Sequence, residues 1–131
     1  MSVMHIRVYY EDTDCGNVVY YANYLKYMER GRTEYLRERG IELAAFHEKG
    51  YLFAVVEVHM KYRRPARYND LLQVDSLLTD LSSLALTFDT TIRNQEGALL
   101  VRGQVKLVCI GPNGKAGRIP FELAAALGEN A

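Results

Sequence analysis

The sequence predicts an α+β domain in which one long helix covers a face of an antiparallel sheet of about five strands. Three observations predict it. The elements run strand, long helix, short helix and then four long strands, and strands that follow one another without intervening helices pair antiparallel, not through βαβ crossovers. Hydrophobic residues make up 49% of the chain, enough for a sizeable core. At 131 residues, with no internal repeat or low-complexity stretch, residues 1–131 read as a single domain.

Each element has its own signal. Met4 to Tyr10 (MHIRVYY) is β-branched and aromatic and reads as a strand; Glu11 to Val18 is polar, contains Gly16 and reads as a loop. From Asn23 to Arg39 the period becomes helical, with Tyr24, Tyr27, Met28, Gly31, Tyr35 and Leu36 mostly at i, i+3, i+4 spacing. Gly40 is placed as the stop. Gly31 costs roughly 1 kcal/mol against alanine inside a helix; its presence predicts a close approach of the helix to the sheet. Leu43 to Glu48 reads as a short helix ended by Gly50.

Four strands follow, at Leu52–Arg63, Leu71–Leu81, Leu84–Arg93 and Leu99–Ile110, and Pro120 to Leu127 reads as a short helix. Turn residues separate the strands at Pro65 to Asp70, Asn94 to Gly97 and Pro112-Asn113-Gly114. One helix cannot cover every edge of such a sheet, so a homodimer at least is expected, through one continuous sheet or paired edges.

Several function classes are disfavoured. Sixteen basic residues balance sixteen acidic ones, so no net field draws nucleic acid or an anionic membrane. Cys15 and Cys109 have neither CxxC nor histidine neighbours and read as reduced thiols, not a disulfide or metal site. His5, His47 and His59 form no ligand pattern. No apolar run approaches the ~20 residues that span a bilayer, and the N-terminus lacks signal-peptide features, so a soluble cytoplasmic protein is expected.

The chemically informative stretch is Tyr10 to Tyr24. Glu11, Asp12 and Asp14 precede Gly16 and a helix start. The first N–H groups of a helix lack intrahelical partners and carry partial positive charge, so they can hold a developing oxyanion. A carboxylate in the preceding loop could attack the carbonyl or activate water. The residues alone favour a cap or Asx turn, and Glu11 and Asp12 either shape the loop or act on Asp14 by like-charge repulsion.

The run Arg7 to Gly40, RVYYEDTDCGNVVYYANYLKYMERGRTEYLRERG, resembles the signature of the 4-hydroxybenzoyl-CoA thioesterase family, and is most like its Tol-Pal-associated acyl-CoA thioesterase branch. Tyr62 to Leu72 (YRRPARYNDLL) is similar to that branch too, and the likeness spans roughly residues 5 to 111. The resemblance implies a hotdog fold, with the sheet wrapped around the long helix. It implies hydrolysis of acyl-CoA or acyl-carrier-protein thioesters, aliphatic rather than aromatic, with no metal or organic cofactor, by a homodimer or homotetramer. Asp14 matches the family's catalytic carboxylate, as nucleophile or general base. The backbone N–H of Tyr21 matches the carbonyl-polarising donor, and Tyr10 an active-site tyrosine. Gly16, Tyr20 and Tyr24 complete the substrate side of the motif.

Two departures matter. The branch usually has histidine where this chain has Tyr21, which keeps a backbone donor but exchanges a proton carrier for a phenol with a reference pKa near ~10. Some members place basic residues for CoA phosphates in the turn matching Leu81 to Ala85, which here reads LSSLA. Hydroxyls, backbone N–H groups or Arg63, Arg64 and Arg67 must then serve; those arginines equally fit ion pairs with Asp70 or Glu57. Glu29 and Glu34 sit among arginines in MERGRTEY and read as helix-face ion pairs. The alternatives to a thioesterase are a hotdog dehydratase, disfavoured because the stretch has no histidine, and a sensor or scaffold that binds acyl-CoA without turnover.

Overall fold

The computed structural model describes residues 1–130. Its strands β1 (Ser2–Arg7), β2 (Leu52–Tyr62), β3 (Leu71–Leu81), β4 (Ala85–Arg93) and β5 (Leu99–Ile110) form one sheet in the order β1-β3-β4-β5-β2. Every pairing is antiparallel. The helices are α1 (Asn23–Glu38), α2 (Leu43–Glu48) and α3 (Phe121–Asn130). The predicted elements are all present, with shifted ends. The first strand starts at Ser2 and stops at Arg7 instead of reaching Tyr10, because Tyr10–Asp12 winds into a 3-10 turn. Asp12 drives that turn: its carboxylate accepts the Tyr9 N–H at 2.8 Å. Gly40 (φ +77°) follows α1 and Gly50 (φ +90°) follows α2 in the left-handed conformation that stops a helix.

The helix lies in a trough of small side chains. Across the sheet Ser2 pairs with Ser76, Ser76 with Thr90, Thr90 with Gly103 and Gly103 with Met60. Above this row stands Gly31: a Cβ there would meet Ser76 Oγ at 2.5 Å and Val74 Cγ1 at 3.1 Å. The close approach expected of Gly31 is therefore present, and its cause is contact with β3. Gly103 makes room in the same way for Met60 and Met28, whose sulfur atoms would lie 2.5 and 2.8 Å from its Cβ.

The row divides the core in two. On one side Tyr24, Tyr27 and Met28 pack with Leu72, Val74, Ile92 and Val101. On the other Tyr35 and Leu36 pack with Leu78, Phe88, Val105 and, from α3, Leu123 and Leu127. The Tyr35 and Phe88 rings meet edge-on at 5.2 Å, a favoured aromatic geometry. Burying either ring is worth about 3 kcal/mol or less by its area alone. The hydroxyls of Ser76 and Thr90 sit in the seam between the halves, buried and without hydrogen-bond partners.

α1 packs chiefly on β1, β3 and β4, and meets β2 through Met60 and Tyr62. β2 is an edge strand of 11 residues. Val55, Val56, Val58 and Tyr62 remain exposed on it, and its register shifts between Val55 and Glu57. An open, apolar edge of that length is rarely left bare in a stable protein.

Candidate active site

The loop before α1 is folded tightly around Asp14. The Asn17 N–H donates to the Asp14 carbonyl at 3.1 Å and the Asp14 N–H to the Val18 carbonyl at 2.9 Å. Asn17 takes φ +64°, which asparagine tolerates better than most side chains. Within the turn, Asp14 Oδ1 accepts the Gly16 N–H at 2.8 Å, while Oδ2 has no hydrogen bond among the described residues. Bridges from Thr13 to Val19 and from Val18 to Arg67 pin both ends of the turn. The Asp12 carbonyl accepts the Tyr20 N–H and the Asn23 side-chain amide, both at 2.9 Å, and so ties the loop to the start of α1.

At that start α1 has no side-chain cap. The Tyr21 and Ala22 N–H groups make no hydrogen bond among the described residues. These are the orphan donors of a helix entrance, and the helix dipole reinforces them. The Tyr21 side chain borders an open pocket of about 290 Å³ with Tyr24, Tyr62, Arg63 and Arg64. Tyr21 meets Tyr62 edge-on at 6.5 Å, and Tyr62 meets Tyr24 at 5.6 Å. Tyr24 is buried, its hydroxyl accepts the Ala66 N–H at 3.0 Å, and burial raises its pKa above the ordinary tyrosine value. It supports the wall and, through Ala66, ties the arginine loop's backbone to α1.

Tyr20 stacks at 4.9 Å on Tyr21. Its phenol is held above the ordinary pKa first by the adjacent Tyr21 hydroxyl, although the two make no hydrogen bond of regular geometry; Asp14 adds the smallest of the contributions. Tyr20 thus lies within electrostatic reach of the Asp14 carboxylate. Tyr10 is elsewhere. It packs edge-on against Tyr68 at 5.9 Å, over a different hollow lined by Arg7, Tyr9 and Asn69.

The three arginines are exposed and none forms an ion pair among the described residues. Asp70 accepts the Arg67 backbone N–H at 2.9 Å instead of its guanidinium, and the N–H groups of Arg63 and Arg64 both donate to the Leu100 carbonyl. Backbone anchoring with idle guanidinium groups suits a phosphate site. In the turn after β3, the Ser82 hydroxyl accepts the Leu84 and Ala85 N–H groups and is consumed by the turn. Glu34 pairs with Arg37 as expected. Glu29 makes no ion pair; its carboxylate accepts the Thr33 hydroxyl at 3.1 Å, because the helix places Thr33 one turn on. Cys15 is exposed and Cys109 buried, both free. Among the described residues no group of three or more His, Cys, Asp or Glu side chains could hold a metal ion, and no helix is long and apolar enough to cross a membrane.

Two residues at this site had no separate signal in the sequence. Tyr62 ends a strand whose alternation alone explains it, and only the folding of β2 beside α1 sets its ring against Tyr21 and Tyr24. Asp12, read in sequence only as a loop-shaping residue, works through its main-chain carbonyl as well as its side chain, and sequence does not reveal the carbonyl's part.

Residues 8–127 match the thioesterase-like superfamily. The acyl-CoA thioester hydrolase YbgC of Escherichia coli O6:H1 is 39% identical over 107 residues, covering 82% of this chain and 80% of its own. Among solved structures, the hypothetical protein TT1821 from Thermus thermophilus superposes with a TM-score of 0.94 at 33% identity, covering 98% of both chains. The DHNA-CoA thioesterase from Staphylococcus aureus gives 0.94 at 25% identity, covering 98% of this chain and 89% of that one. With its antiparallel sheet around α1 and this match over nearly its whole length, the chain belongs to the thioesterase-like superfamily and is a thioester hydrolase with the hotdog fold.

Proposed function

We propose that this single-domain protein hydrolyses acyl-CoA thioesters to free acid and thiol without a metal, with Asp14 as nucleophile or general base and the Tyr21 N–H polarising the thioester carbonyl. The observation that carries the reading is the pairing of two idle groups on one braced loop: Asp14 Oδ2 without a partner, and the unbonded N–H of Tyr21 at the entrance of α1. Hydrogen-bond donors fixed before the reaction stabilise the oxyanion without reorganising, commonly the largest electrostatic contribution to acyl transfer. The reading gives Tyr10 no proton to carry. Arg63 and Arg64, on the pocket shared with Tyr21, are assigned to the CoA phosphates, and Arg67 to the rim beside Val18. CoA is favoured over a carrier protein because two exposed guanidinium groups suit phosphate oxygens.

The test is thiol release from a panel of acyl-CoAs by wild type and Asp14→Asn. Wild type should turn over at least one member, and the variant should lose about a hundredfold or more. Equal rates would remove Asp14 from the role. Binding of acyl-CoA with no release by wild type would select the sensor reading.

The working unit is proposed to be a homodimer closed through β2. An antiparallel edge can pair with its own copy about a two-fold axis, which would cover Val55, Val56 and Val58. Sedimentation should give a dimer for wild type and a lighter species for Val58→Lys.

A further inference from the structure

Halfway along α1, on the far side of the small-residue row from Tyr21, lies a second pocket of about 250 Å³. Its walls are apolar: Leu36, Phe53, Leu86, Phe88, Leu107 and Leu123. Into it faces Arg32, only 9% exposed, whose guanidinium has no hydrogen bond or ion pair among the described residues. Such a group is unusual, since a buried cation is costly unless a counter-charge meets it. The nearest carboxylate does not meet it. Glu29 also borders the pocket, but it is exposed, bonded to the Thr33 hydroxyl, and farther from Arg32 than ion-pair distance. Water screens a charge at such a mouth. His47 at the rim is exposed as well. Burial lowers the Arg32 pKa from its ordinary value and Glu29 raises it by less; an arginine nevertheless stays cationic near neutrality. The pocket therefore offers a hydrocarbon lining and one largely buried guanidinium whose nitrogens open to the pocket and have no protein acceptor among the described residues.

We infer that this pocket is a second binding site, distinct from the Asp14 loop, for a carboxylate with an apolar tail, the carboxylate paired with Arg32 and the tail among the leucines and phenylalanines. A guanidinium takes a carboxylate through two parallel N–H···O bonds, and an apolar chain gains by leaving water for such walls. A fatty acid is the simplest molecule with both parts. The proposed hydrolysis releases that class of molecule, so the site would hold the protein's own product. That clause rests on the thioesterase reading, whereas the binding itself does not.

The experiment is isothermal titration with decanoate and 1-decanol, below their aggregation limits, on wild type, Arg32→Gln, Arg32→Lys and Asp14→Asn. Wild type should bind one decanoate per chain and bind decanol more weakly. Arg32→Gln should lower decanoate affinity by about tenfold or more, the scale of one charge-assisted pair, and leave decanol unchanged. Arg32→Lys should retain the larger part of the affinity. Asp14→Asn should bind decanoate as wild type does, so that failure of the hydrolysis reading and failure of this one are separable. Removing an uncompensated buried charge should also raise the melting temperature of ligand-free Arg32→Gln, which checks that the variant folds. The inference is overturned by silence of wild type toward decanoate, or by equal binding in Arg32→Gln. It is equally overturned by an Arg32→Gln protein that is less stable and dissociates to monomer, which would make a carboxylate of the second copy the counter-charge.

Discussion

The position of the Asp14 carboxylate can be displaced without removing it, and Gly16→Ala is the substitution that does so. A Cβ on Gly16 would lie 3.1 Å from Asp14 Oδ1, so the carboxylate would give way by a few tenths of an ångström. The hydrogen bond from residue 16 to Oδ1 uses a backbone N–H that alanine retains. Gly16 is not in the left-handed region, so alanine fits the backbone there. Stability should then stay level or rise by about 0.4–1 kcal/mol through the less flexible unfolded chain. Misplacing a reacting group by about 1 Å costs on the order of a hundredfold in rate, so roughly a third of that shift costs about fivefold. Gly16→Ala should therefore be as stable as wild type by urea denaturation and about fivefold slower in kcat. Substrate contacts outside the turn are untouched, so KM should change little. An unchanged kcat in a fully folded variant would mean that the placement of this carboxylate does not set the rate. A fall in kcat that merely tracks lost folded protein would sink the reasoning too.

Three further outcomes are expected. Gly31→Ala should destabilise by about 1–2 kcal/mol, because overpacking against Ser76 and Val74 outweighs the gain of roughly 1 kcal/mol in helix propensity. Adding Ser76→Ala removes the atom met at 2.5 Å and should restore most of the loss, read as a coupling in a urea double-mutant cycle at fixed protein concentration. Tyr27 is fully buried, and its hydroxyl makes no hydrogen bond of regular geometry among the described residues; burial first, and then the charge and nearby carboxylate of Asp12, hold its pKa well above the ordinary tyrosine value. Its folded pKa is raised, so its contribution is intact below about pH 10 and is lost as pH rises beyond it, where only the unfolded chain ionises. Tyr27→Phe should flatten that alkaline fall in the urea midpoint. Arg63→Ala with Arg64→Ala should raise KM for CoA esters by about tenfold and leave KM for a short phosphate-free thioester unchanged; an equal change for both would make the pair structural.

Much of the fold was legible because its signals are local. Gly40 and Gly50 stop helices through their own φ values, and the alternation of β3 to β5 survives as alternating burial along the strands. The end of β1 was missed because the competing signal is a side chain: Asp12 caps the Tyr9 N–H and turns the chain before the β-branched run is spent. Sequence also supplied Asp14, Tyr21 and the arginine loop through a long motif. It could not supply their surroundings. Tyr10, four residues before Asp14, packs its ring on Tyr68 at the 3-10 turn, a contact that no local pattern announces. Arg32 sat in sequence as one more charge on the helix, and only the fold buries it beside an apolar hollow without a partner among the described residues.

In the sequence, a capping role and a catalytic role for Asp14 stood as alternatives, and the geometry makes them compatible under the proposed chemistry. A carboxylate has two oxygens. Oδ1 holds the Gly16 N–H and locks the side chain to a turn pinned by bridges at Thr13–Val19 and Val18–Arg67. Oδ2 keeps its lone pairs. A catalytic group must be held in position before the substrate arrives, and a free aspartate rotor in a loop would have to be ordered at each turnover. The cap supplies that order from within one residue's span, without enlisting a neighbour's side chain. Capping is then the condition for the proposed chemistry. Substitutions that loosen the turn, such as Asn17→Val at its positive φ, should lower kcat by misorienting Asp14 before they unfold the protein.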